Sequence, residues 1–107
     1  MSQLNQFLRT INSPFNDQQK LEAWTKAQLA PGWPAGEYRL DACGALIQWS
    51  QYGITSHNGT GWEIDHIVPI TRGGSDHISN LQVLQWQNNR KKSDSVGINY
   101  CAVVRTA

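Results

Sequence analysis

The sequence is short of cysteine, of net charge and of long apolar runs, and each shortage closes off a class of protein. Two Cys in 107 residues, Cys43 and Cys101, make no disulfide framework, so both are expected to be reduced, packed thiols. A formal net charge of +1 gives no global basic field, and any nucleic-acid partner must be met by a local patch. No apolar run is long enough to cross a bilayer, so no membrane partner is expected. Met1-Ser2-Gln3 opens without a signal-peptide pattern, which makes a cytoplasmic location the expectation. Aromatic residues are not scarce. Trp24, Trp33, Trp49, Trp62 and Trp86 are expected to anchor the core of one small domain.

Along the chain, Leu4, Phe7, Leu8 and Ile11 make one helical face that ends at Ser13-Pro14. Asp17 is placed to cap a second helix reaching about Leu29, with Leu21, Trp24 and Gln28 on one side. Residues 1–36 therefore read as a helical support, and residues 37–107 as the core that carries chemistry. Asp41-Ala42-Cys43-Gly44 is a tight-turn signal between Tyr38–Leu40 and Ala45–Trp49, giving a hairpin or a strand leading into a short helix. Arg39 and Asp41 are placed to pair within it. Gly61–Pro69 reads as a strand, Ile70–Asn80 as a polar loop, Leu81–Gln85 as a second strand and Trp86–Ser93 as a short basic helix. The tail from Ile98 to Val104 is a candidate edge strand.

The informative stretch is WEIDHIVPITRGG. An acid and an imidazole, Asp65 and His66, break an apolar strand just before Pro69 and a Gly-Gly turn. Thirteen residues then separate His66 from Asn80, and eight separate Asn80 from Asn89, which Arg90-Lys91-Lys92 follow directly. The order is strand, loop, strand, basic helix. An adjacent Asp and His alone are more often structural than functional; the whole set in order is far more specific. His77 reads as a hydrogen-bonding residue of the loop, and Glu63 as a scaffold contact.

The segment WEIDHIVPITRGGSDHISNLQVLQWQNNRKKSD resembles the HNH endonucleases, whose pattern is an acid–His pair, an Asn closing the long loop and a His or Asn on the helix. The resemblance implies an α+β protein with a small ββα-metal (His-Me finger) core behind N-terminal helices. It implies hydrolysis of phosphodiester bonds, with DNA as the nucleic-acid partner. His66 is then the general base, suited to the task because imidazole ionises near neutral pH. Asp65 and Asn89 are the implied ligands of one divalent metal ion that stabilises the leaving 3′-oxygen. Asn80 braces the loop behind the base. Arg72, Arg90, Lys91 and Lys92 are candidates for contacts to the nucleic-acid backbone, which would set position without reading sequence.

Two departures from the family pattern matter. Asn89 stands where many members have His, and an amide oxygen is a harder ligand, so Mg²⁺ is expected, with Mn²⁺ as the alternative. Many members also carry two Cys-x-x-Cys pairs for a structural zinc. Those positions are Leu40 and Cys43, then Gln85 and Asn88, and a single Cys cannot supply a four-ligand site. No structural zinc is therefore expected. Two other readings stay open: a nucleic-acid-binding module on the same fold without turnover, and a nuclease toxin with an inhibitor partner.

Overall fold

The computed structural model of the chain describes residues 15–97 and 99–104. The helix expected over residues 4–11 lies outside them. The first described helix, α1 (Asp17–Lys26), starts at Asn16 rather than at an Asp17 cap. Asn16 and Gln19 form a reciprocal capping box, each side chain accepting from the other's backbone N–H at 2.8 and 2.9 Å. The helix stops at Lys26, short of the expected Leu29. Its apolar face is also narrower than the sequence suggests: Ala23 and Trp24 are buried, whereas Leu21 is exposed.

The chain then turns into a three-stranded antiparallel sheet. Its strands are β1 (Gln28–Leu29), β2 (Tyr38–Leu40) and β3 (Leu46–Gln48), with β2 in the middle. The hairpin reading of residues 38–49 holds, and a 3₁₀ turn over Trp49–Gln51 follows it. A separate antiparallel pair, β4 (Trp62–His66) and β5 (Leu81–Gln85), is in register from Trp62 opposite Gln85 to His66 opposite Leu81. The final helix, α2 (Trp86–Lys92), follows β5 directly. The result is a small α+β protein with two helices and small antiparallel sheets among the described residues. The described tail residues 99–104 form no strand.

Strand β4 is buried on both faces, and this explains its sequence. Trp62 and Ile64 point to the main core, where they meet Trp24 and Ala23 of α1, Ile47 of β3, and Leu81 and Val83 of β5. Trp62 lies 5.1 Å from Trp24 and 5.7 Å from Trp49, ring centre to ring centre. Not every Trp serves the core: Trp33 is exposed and packs at a tilt against Tyr38, and Trp86 donates its indole N–H to the Ser56 carbonyl. The alternate residues of β4, Glu63 and Asp65, are also buried, and their partners come from α2.

The two cysteines correct the sequence reading. Cys43 and Cys101 form a disulfide across a separation of 58 residues, which fastens the tail to the β2–β3 turn. Pattern alone gave no reason to bring residue 101 back to that turn. Beside the bond lies a second tie. Asp41, 1% exposed, accepts from the backbone N–H groups of Cys43 and Ala45 on one oxygen. Its other oxygen accepts from the Gln85 backbone N–H at 2.8 Å and the Asn88 amide at 2.9 Å. Asn88 in turn holds the tail through Ala102 and Val103. Asp41 therefore does not pair with Arg39, whose guanidinium donates to the carbonyls of Thr25, Ala27 and Ala35. This knot stands where the resemblance puts the two Cys-x-x-Cys pairs. Burial pushes the Asp41 carboxyl above the ordinary carboxylate range, although its four N–H donors pull the other way.

Candidate active site

The site is built on the last residues of β4, the loop that follows, and the inner face of α2. Asp65, His66 and Asn89 line one open cleft of about 260 Å³, together with Pro69, Thr71 and Asp94. Three of the four core residues of the sequence pattern thus meet in one place.

The fourth, Asn80, sits behind the cleft and ties the loop to the strand end. Its side chain accepts from the Val68 N–H at 2.8 Å and donates to the carbonyls of Val68 at 3.0 Å and Ser75 at 2.8 Å. Its own carbonyl accepts from Ile67. The Gly-Gly turn exists for the same closure. Gly73 takes φ +90°, and a Cβ on Gly74 would collide with the Val68 carbonyl and crowd the Asn80 amide. His77 caps the 3₁₀ turn that ends the loop, where its ring accepts from the Ser79 N–H.

His66 has a partner that sequence reasoning missed. Its Nε2 lies 2.7 Å from Oδ1 of Asp76, in the loop. A carboxylate offers only acceptors, so Nε2 donates, and Asp76 fixes the orientation of the ring. Phe15 packs on the imidazole at 5.5 Å between ring centres. The one signal for Asp76 was an acid in the Gly-Gly-Ser-Asp turn, indistinguishable in sequence from a loop residue.

Asp65 is 7% exposed and carries two donors: Gln82, directly across the strand pair, at 3.0 Å, and Lys92 at 3.1 Å. Desolvation raises its carboxyl above the ordinary range, and these donors partly offset the rise. Lys92 was expected on the nucleic-acid face. It is instead 2% exposed, with its ammonium also donating to the His66 carbonyl. The reason is helical spacing: Lys92 lies three residues after Asn89, on the same inward face of α2. Arg90 is also engaged, forming an ion pair with Glu63 at 3.1 Å, and Asn89 donates its amide N–H to the same carboxylate at 2.9 Å. Lys91 and Arg72 are exposed, and Arg72 donates to the Asp94 carbonyl.

The donor set fits a hard divalent cation. Among the described residues, no three His, Cys, Asp or Glu side chains gather into a metal cage. Asp65 and Asn89, a carboxylate and an amide, line the same cleft, and the Asn89 bond to Glu63 uses its nitrogen, not its oxygen. Two protein oxygens suit Mg²⁺, which keeps several of its waters.

No curated protein and no solved structure matches the chain. A family model described as HNH endonuclease does match, over residues 42–95, half of the chain and the whole of the cleft described above. A strand, a braced loop, a second strand and a helix that deliver Asp65, His66 and Asn89 to one cleft agree with that match: the chain belongs to the HNH endonuclease family.

Proposed function

We propose that the protein is a metal-dependent endonuclease that hydrolyses phosphodiester bonds in DNA, with a ββα-metal core formed by β4, β5 and α2. Family membership implies a nuclease acting on nucleic acid. The observation that carries the finer reading is the contact of Asp76 with His66, which lines one cleft with Asp65 and Asn89. Asp76 holds Nε2–H and orients the ring. Nδ1 is then the base: it takes a proton from the attacking water as the new P–O bond forms. The bond from phosphorus to the 3′-oxygen breaks, and that oxygen takes a proton from solvent water, which leaves a 5′-phosphate and a 3′-hydroxyl. Asp65 and Asn89 would hold the cation. When bound, a divalent ion supplies positive charge at the phosphate and at the departing oxygen. Asn80 keeps the loop, and with it Asp76, against the strand end. Lys91 and Arg72 are the exposed cations for the nucleic-acid backbone.

One observation favours a second reading, a binding module without turnover: Asp65 already has a cation on it, in Lys92. A plasmid-relaxation assay separates the two. Nicking of supercoiled DNA with Mg²⁺, abolished by EDTA and by His66→Ala, is the expected result. Equal behaviour of wild type and His66→Ala, with DNA still shifted in a gel, would support the binding module.

A further inference from the structure

A lysine as buried as Lys92 is rare unless paired. Its ammonium sits 3.1 Å from Oδ2 and 3.3 Å from Oδ1 of Asp65, and 2.9 Å from the His66 carbonyl. Gln82 also donates to Oδ2. The carboxylate that faces the cleft is thus charge-compensated without any added ion. A second rung repeats the pattern two residues earlier on β4, where Glu63 meets Arg90 and Asn89. The inner face of α2 against β4 therefore balances two carboxylates with two side-chain cations.

We propose that Lys92 is a resident counter-cation at Asp65. It holds the carboxylate in place in the ion-free protein and keeps its affinity for a divalent ion low. Tight binding of that ion then depends on the negative charge of a bound phosphodiester. The proposal rests on the reading of Asp65 and Asn89 as metal ligands. Its physical basis is like-charge repulsion, which a buried setting screens less than water does. A phosphodiester adds negative charge and oxygen ligands at the same cleft, and both oppose that repulsion. The ion is then taken up together with substrate.

The test is a Mn²⁺ titration followed by electron paramagnetic resonance, on wild type, Lys92→Met, Lys92→Gln and Asp65→Asn. Lys92→Gln keeps a hydrogen-bond donor and removes the charge. Without nucleic acid, both Lys92 variants are expected to bind Mn²⁺ at least tenfold more tightly than wild type, and Asp65→Asn to lose the site. In a His66→Ala background, a short DNA duplex is expected to tighten Mn²⁺ binding at least tenfold beyond what the duplex binds alone. Unchanged or weaker Mn²⁺ binding in the Lys92 variants overturns the proposal and leaves Asp65 as a ligand. Mn²⁺ binding that survives Asp65→Asn overturns the metal-site reading beneath it. If circular dichroism finds neither Lys92 variant folded, the duplex experiment decides, and no tightening overturns the proposal.

Discussion

Asp41 and Asp65 are the same residue type in similar burial, at opposite ends of the β4–β5–α2 unit. Their surroundings assign them different work. Asp41 is surrounded by four N–H donors from turn, strand and helix, and it does not line the cleft of His66. It is a cross-link. Asp65 has an amide and an ammonium for partners and lines an open cleft beside an imidazole. A buried carboxylate needs compensation wherever it sits. Fixed backbone N–H donors make it structural, whereas a side-chain cation and an open flank leave it available for chemistry. The ends also differ in how they are fastened. The Asp41 end has a disulfide and a hydrogen-bonded tail, and the Asp65 end is held by ion pairs and a braced loop.

The largest expected effect is at the cleft. His66→Ala should lower the cleavage rate by about 10³-fold, with the melting temperature nearly unchanged. Parallel nicking rates and thermal melts check this, and a fall in stability to match would erase the distinction between the ends. At the other end, Cys43→Ser should cost about 4 kcal/mol of unfolding free energy, the chain-entropy value for a loop of this length. Urea unfolding with and without reductant measures it, and the reductant should not affect the variant.

Asp76→Asn sharpens the contrast within the cleft. It should slow cleavage by about tenfold, with little loss of stability because Asp76 is exposed. A turnover series against Asp76→Ala at saturating DNA reads this effect. The smallest effect is in pH. The Asp41 carboxyl is raised in the folded state, so the native protein keeps that proton to higher pH than the unfolded chain does. Its share of stability is present below the ordinary carboxylate value and is lost as pH rises through the raised one. Asp65 contributes in the same direction. Asp41→Asn should therefore flatten the fall of unfolding free energy with rising pH, as measured by urea melts over about pH 4–7.

Much of the β4–β5–α2 unit was legible because its signals are local. Leu81–Gln85 is a strand as its alternation suggests, Trp86–Lys92 is a helix to within a residue of its expected end, and the order of Asp65, His66, Asn80 and Asn89 held the cleft in outline. What stayed hidden depends on distant partners. Gln28-Leu29 continues the apparent helix, but in the structure it pairs with β2, and nothing local announces that. β4 was legible as a strand interrupted by Asp65 and His66, but its Glu63–Asp65 face is covered by α2. That covering drew Lys92 from an expected surface stripe into the interior. Asp41, Asn88 and Cys101 meet only because the tail returns, a closure that no periodicity encodes.

The most direct measurement compares Asp65→Asn with Asp41→Asn in one set of tubes: Mg²⁺-dependent plasmid nicking below the melting transition, and urea unfolding of the same samples. The account predicts that Asp65→Asn abolishes nicking and stays folded. It predicts that Asp41→Asn loses about 3 kcal/mol of stability, having exchanged an acceptor for a donor among N–H groups, and still nicks. Nicking by Asp65→Asn at the wild-type rate would contradict the account.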